Sequence, residues 1–192
     1  LANKRDGGCA IVVWGVAGPS AGLRIVACHD DAPRIDLKAR PVYEREGFAC
    51  LQTVYHGGIR SYQWANVPLA LVGRCAFPSG EVRDIALGLG PDDPVFVIPA
   101  PAPHEDKPFR ERKMPDVLEG EELDPVAAHE GGADGVVKRL EALLEERWKL
   151  GPRDLISAEL SLVPATPPAD VGLDRSMLGG YGQDPRLAVY AA

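Results

Sequence analysis

Apolar positions fall mostly into short runs broken by turn residues, and only one long stretch repeats them at helical spacing. Two strand-like runs open the chain, Cys9–Val16 and Leu23–His29, joined by Ala17-Gly18-Pro19-Ser20. The second is continuously apolar up to its end, which predicts a buried strand that delivers a histidine at its C-terminal tip. From about Arg34 to Ala158 the texture changes. Runs at Phe48–Tyr55, Leu69–Cys75, Val82–Leu89 and Val95–Ile98 follow one another, separated by turn signals such as Pro78-Ser79-Gly80 and Gly90-Pro91-Asp92-Asp93. That cadence predicts an antiparallel β unit.

Ile98–Glu130 is rich in charge and proline, with Pro99, Pro101, Pro103, Pro108 and Pro115, and reads as a long loop. Val136, Leu140, Leu143, Leu144 and Trp148 then form one apolar stripe. They predict a helix capped by Asp134 and stopped at Gly151-Pro152, with Glu145 and Glu146 on its solvated side. Ile156–Val163 alternates like a half-buried strand. Asp184-Pro185-Arg186-Leu187 opens a second helix, with proline suited to its first turn. That segment reaches Ala192 after about two turns without a glycine, a cationic last turn or a cap. The expectation is a piece of a longer protein.

Composition narrows the function classes. The chain has 192 residues, 45% hydrophobic and 26% charged, enough for one or two domains with a substantial core. Its net charge of -7 argues against a nucleic-acid partner, because phosphate recognition needs clustered Lys and Arg. No apolar run approaches the roughly 20 residues that cross a membrane. Cys9, Cys28, Cys50 and Cys75 are widely spaced with no Cys-x-x-Cys pair, so a cysteine zinc site is not indicated. They read as reduced core thiols of a cytoplasmic protein.

The chemistry-bearing residues lie near the two ends. His29, at the end of its run, suits a metal ligand bound through one ring nitrogen. Asp31, two residues on, can accept the proton on the other nitrogen and so fix the tautomer and ring direction. Asp184, at a tight Gly182-Gln183 turn before a helix, suits a carboxylate that bridges two cations. A paired-zinc hydrolase needs such a bridge to hold and acidify one water, together with terminal ligands and a free Glu as general base. By themselves these spacings are also those of an ordinary loop with a solvated histidine. Among the remaining histidines, His104 lies in the proline-rich loop, whereas His56 and His129 read as structural or exposed. Trp64 reads as a core or interface anchor.

The stretch His29-Asp30-Asp31-Ala32-Pro33-Arg34-Ile35-Asp36-Leu37-Lys38 resembles the His-x-Asp-Ser-Pro-x-x-x-Leu-Lys signature of the aspartyl aminopeptidase and vacuolar aminopeptidase I family of zinc metallopeptidases. Further similarities follow in order. They are Tyr55-His56-Gly57-Gly58 with Gln63-Trp64, Pro68-Leu69-Ala70-Leu71-Val72-Gly73, Asp93-Pro94-Val95-Phe96 and Gly120-Glu121-Glu122-Leu123. The last are Ser157-Ala158-Glu159-Leu160, Val171-Gly172-Leu173-Asp174 and Gly180-Tyr181-Gly182-Gln183-Asp184. The similarity runs over essentially the whole chain and is nearest to bacterial members.

The resemblance implies an α/β fold, part of a mixed-sheet zinc exopeptidase domain interrupted by a β-rich oligomerisation insert. Residues 1–33 would begin the peptidase domain, residues 34–158 would form the assembly insert with its one amphipathic helix, and residues 159–192 would resume the peptidase domain. The implied activity is removal of N-terminal residues from peptides with two zinc ions, cobalt or manganese being possible substitutes. The implied assembly is a homo-oligomer, in some members dodecameric. His29 and Asp184 take the metal-ligand positions, Asp31 the orienting position, and His104 that of a loop reaching a neighbouring subunit's site.

Three departures stand out. Ala32 replaces the signature serine, and Pro185 follows Asp184 where bacterial members usually carry a second Asp. The family's adjacent Glu-Glu pair, a further acidic ligand and a final His lie beyond the bridging Asp, and this chain ends eight residues after Asp184. Glu121-Glu122 and Glu145-Glu146 are not substitutes. One expectation is therefore a zinc aminopeptidase subunit that is incomplete and inactive alone. The alternatives are a truncated relative that assembles without cleaving, and an unrelated acidic binding domain.

Overall fold

The structure is a computed structural model and describes residues 2–3, 8–102, 104–105, 107, 111–114, 117–131 and 133–192. The elements in chain order are strands β1 (Ala2–Asn3), β2 (Cys9–Ala10), β3 (Arg34–Arg45), β4 (Phe48–His56), β5 (Leu69–Ala76), β6 (Val82–Leu87) and β7 (Val126–Ala128). Helices α1 (Val136–Trp148) and α2 (Asp154–Ser157) follow, then β8 (Ala158–Pro164), β9 (Ala169–Val171), β10 (Met177–Gly179) and α3 (Gln183–Ala191). Two compact units result. The first is Leu1–Ala32 with Asp170–Ala192, and the second is Pro33–Ala169.

The second unit is built on a six-stranded antiparallel sheet in the order β6-β5-β8-β3-β4-β7. Ile35, Leu51, Leu71, Ile85, Leu87, Leu160 and Leu162 are buried from its strands. They cluster with Val136, Leu140 and Leu144 of α1 and with Leu150 and Leu155 beyond it. The apolar stripe of α1 therefore covers one face of the sheet, as a stripe wider than a coiled-coil seam should. Trp64 joins the same core. Glu145 and Glu146 are exposed.

Three local devices fix this sheet. The β3–β4 hairpin turns on Glu46 and Gly47, both at positive φ (52° and 82°), the geometry that matches strand twist in a two-residue turn. Within β3 the register jumps from Leu37↔Thr53 to Val42↔Leu51, so residues 38–41 form a bulge in which Lys38, Ala39 and Arg40 are exposed and Pro41 is buried. At Gly73, φ is +146° and a Cβ would lie 2.0 Å from the Glu159 carbonyl oxygen, so β5 and β8 approach only because no side chain stands there. β3 begins where β8 ends, as the Ile35↔Leu162 pairing shows.

A buried carboxylate ties the sheet to the loop beneath it. Asp124 is 1% exposed. It accepts hydrogen bonds from the Thr53 amide (2.8 Å), the Thr53 hydroxyl (3.0 Å) and the Tyr43 hydroxyl (2.8 Å). Burial, then the bond to Asp124, pushes the Tyr43 phenol well above its ordinary range. The short 3-10 turn Gly120–Leu123 before it carries a capping box between Glu119 and Glu122. Arg112 grips the Glu122 carboxylate with two bonds of 2.5 and 3.0 Å and holds its pKa below the ordinary carboxylate range.

Several sequence expectations are corrected. Of the runs Cys9–Val16 and Leu23–His29, only Cys9–Ala10 is strand, and the buried strand expected to end at His29 is irregular and exposed. The mixed sheet expected of the exopeptidase part is not formed among the described residues of the first unit, which carries the two-stranded pairs β1–β2 and β9–β10. The physical reason is shared: a continuous apolar run becomes a strand only where neighbours supply both ladder partners and cover. β8 lies between β5 and β3 in the second unit, which extends to Ala169. Asp134 does not cap α1; Gly135 holds that position with no side-chain bond. The loop from Ile98 to Glu130 contains the 3-10 turn and β7, while Pro103, Pro108 and Pro115 lie outside the described residues. Cys50 and Cys75 are buried thiols, but Cys9 and Cys28 are exposed. No helix of the described residues is long and apolar enough to cross a membrane.

Candidate metal centre

His29 and Asp184, from opposite ends of the sequence, meet in the first unit. The His29 Nε2 lies 3.4 Å from an Asp184 carboxylate oxygen, and its Nδ1 lies 3.0 Å from the Asp31 carbonyl and 3.3 Å from the Asp31 carboxylate. Asp184 sits in the first turn of α3, which starts after Gly182 at positive φ (79°), with the buried Pro185 following it. A carboxylate there faces the positive end of the helix dipole, and proline loses no hydrogen bond in a first turn.

Electrostatics follow from that arrangement. A carbonyl oxygen can only accept, so Nδ1 carries a proton and donates it to Asp31. The neutral ring then presents its Nε2 lone pair toward Asp184, the tautomer a metal ligand requires. When no cation lies between them, the same contacts favour a second proton. The His29 pKa is accordingly held above its ordinary value, first by the Asp31 carbonyl and then by the Asp184 and Asp31 charges.

The pair fits a shared cation as far as two donors can. Zinc bonds to imidazole nitrogen and carboxylate oxygen are each about 2.1 Å, which at a tetrahedral angle places the donors about 3.4 Å apart. The observed separation is 3.4 Å. Four donors complete a tetrahedral site, however, and among the described residues no group of three or more His, Cys, Asp or Glu is arranged to hold an ion. His29 is 59% and Asp184 88% exposed at the side chain, so the pair stands open to solvent.

The remaining candidates lie elsewhere. His104, in the second unit, is exposed in a turn that the Glu105 amide closes onto the Ala102 carbonyl at 2.8 Å. His129 is exposed with its ring 4.8 Å from that of Phe48, and His56 is exposed at the end of β4. Glu122 is occupied by Arg112 and by its own turn. Sequence reasoning assigned Asp31 an orienting role through its carboxylate and missed its backbone carbonyl, the nearer partner of Nδ1. No residue pattern signals a main-chain contact of that kind.

Comparison with known proteins places the chain in a family. The model of the aminopeptidase I zinc metalloprotease (M18) family matches residues 4–192. A protein of Borrelia garinii subsp. bavariensis described as "Probable M18 family aminopeptidase 1" is 36% identical over 98% of this chain, which spans 42% of that relative. A crystal structure of an M18 family aminopeptidase from Thermotoga maritima superposes with a TM-score of 0.81 at 37% identity, covering 88% of this chain and 38% of its own. The structure of a Saccharomyces cerevisiae mApe1 dodecamer shares the fold, with a TM-score of 0.51 at 19% identity over 79% of this chain and 33% of its own. The chain thus spans less than half the length of each of these relatives. Over that span, in sequence and in fold alike, it belongs to the aminopeptidase I zinc metalloprotease (M18) family.

Proposed function

We propose that this chain is part of a zinc-dependent aminopeptidase subunit that removes N-terminal residues from peptides by a two-metal hydrolytic mechanism. The observation that carries the reading is the 3.4 Å approach of His29 Nε2 to the Asp184 carboxylate, with the far ring nitrogen held by Asp31. Zinc in such a site lowers the pKa of a bound water and polarises the scissile carbonyl. The chain's own residues position that chemistry. His29 offers a directed lone pair, Asp31 keeps the tautomer and ring plane, and Asp184 supplies two carboxylate oxygens for a bridge between two cations. Cobalt or manganese, which accept similar donors, are alternatives to zinc.

Two donors do not make a hydrolase, so a second reading stands beside the first. In that reading the chain is a truncated relative that assembles without cleaving; it is supported by the exposure of both His29 and Asp184, two donors where a tetrahedral site takes four. Assembly into a homo-oligomer, dodecameric as in the yeast relative, is part of the proposal. There His104 is offered as the loop residue that reaches a neighbouring subunit's site. The buried thiols of Cys50 and Cys75 suit a reducing cytoplasm.

The test separates the two readings. The purified chain with added zinc is expected to release no N-terminal residues from a peptide set. A chimera continuing after Ala192 with the corresponding remainder of the Thermotoga maritima relative is expected to release them, and to lose both activity and bound zinc with His29→Ala. Release by the chain alone overturns the division of labour. A chimera whose activity survives His29→Ala overturns the metal assignment.

A further inference from the structure

The stretch that carries His104 is tethered on both sides to the second unit. On the N-terminal side, Asn66 donates its amide to the Ile98 carbonyl at 2.9 Å, and its side-chain oxygen accepts the Ala100 amide at 3.1 Å. Asn66 has a φ of 57°, in the left-handed region that asparagine tolerates better than most residues. On the C-terminal side, the Arg112 guanidinium binds both oxygens of the Glu122 carboxylate, at 2.5 and 3.0 Å, and donates to the Val117 carbonyl at 3.3 Å.

Glu122 is itself fastened to the large sheet. Its carboxylate accepts the Glu119 amide at 3.0 Å, and the Arg45 guanidinium of β3 donates to the Glu121 carbonyl at 2.6 Å. Asp124 is held by Thr53 and Tyr43. A line of bonds therefore runs from β3 and β4 through the 3-10 turn to Arg112. Leu118 and Leu123 already seat that turn in the core, so the ion pair constrains the residues before it more than the core itself. Exposed ion pairs contribute little to stability. The Arg112 and Glu122 side chains are only 31% and 32% exposed, and two parallel bonds give the pair direction as well as charge.

Between the tethers, His104, Glu105 and Lys107 are exposed. A histidine that serves a site in another copy must arrive in a fixed place, because misplacement by about 1 Å can cost on the order of a hundredfold in rate. A loop free at either end would meet that demand only by losing conformational entropy at every docking. We propose that Arg112 and Glu122 are positioning residues for His104, holding its loop in the form that meets a neighbouring subunit's site, an inference that rests on the reading of His104 given above and not on the His29–Asp184 pair.

A double-mutant cycle in the chimera with the Thermotoga maritima remainder tests this. Arg112→Ala is expected to lower kcat about tenfold with KM and bound zinc unchanged. Arg112→Lys is expected to recover part of the loss, since lysine restores the charge but not the paired bonds. Acting through His104, Arg112→Ala adds nothing to the effect of His104→Ala. Losses that multiply overturn the inference, because general loosening produces them, and so does an undiminished kcat in Arg112→Ala. A silent His104→Ala removes the loop assignment and this inference together, while zinc lost in His29→Ala leaves the metal reading standing. The chain as it stands gives a second measurement, independent of activity. Its Glu105 amide, bonded to the Ala102 carbonyl, is expected to exchange about fivefold faster in Arg112→Ala, and an unchanged rate overturns the inference even if the chimera fails to fold.

Discussion

Asp124 shows how one buried carboxylate can be tolerated in a small β-rich core. It is 1% exposed, yet three donors from Thr53 and Tyr43 surround it, so no buried ion is left without compensation. The arrangement makes stability depend on pH at the alkaline end. The folded state raises the Tyr43 pKa above its unfolded value, so the phenol's contribution is complete below about pH 10 and is lost as pH rises toward the folded value. Urea midpoints measured from pH 8 upward are expected to fall on the alkaline side. Tyr43→Phe should cost about 1 kcal/mol at neutral pH and make the alkaline fall shallower. An unchanged alkaline slope in that variant would remove Tyr43 from the account. At this same scale the sequence singled out His29, Asp31 and Asp184 by residue type and turn context, and the structure brings the three side chains near one another. The Asp31 carbonyl was not legible, because main-chain contacts leave no trace in residue identity.

Strands became legible where turns and alternation agreed. β4, β5 and β6 lie within a residue or two of their apolar runs, and α1 follows its stripe over Val136–Trp148. β3 stayed hidden because the bulge at residues 38–41 breaks its alternation, and because Asp36, Lys38, Arg40 and Glu44 make it look like loop. The opening runs failed in the opposite direction. Their composition promised strands, but strand formation is a property of neighbours as much as of residues. Gly73 belongs to this scale too, since its value lies in the spacing of β5 and β8. Gly73→Ala is expected to destabilise the protein by about 3 kcal/mol or more, through steric conflict with the Glu159 carbonyl and a strained backbone. Thermal unfolding reads this directly. A midpoint within a degree of the parent would mean that the two strands can part without loss.

At the scale of the whole molecule, the two units divide the energetics unequally. The second holds a continuous core from Ile35 to Leu162, while the first offers Pro185 and little else. Local stability should follow burial, with the first unit opening far more readily. Brief proteolysis is therefore expected to cut first within residues 11–28 and 172–182 and to leave a resistant fragment close to Pro33–Ala169, identified by mass spectrometry. Early cleavage inside β5 or β8 would contradict that division.

The pairing of Ile35 with Leu162 carries one more consequence. The chain enters the large sheet and departs from it through doorways a single strand-width apart, about 5 Å. Everything between those doorways can be lengthened, exchanged or trimmed to a tight reverse turn while the two flanking ends stay within reach of each other.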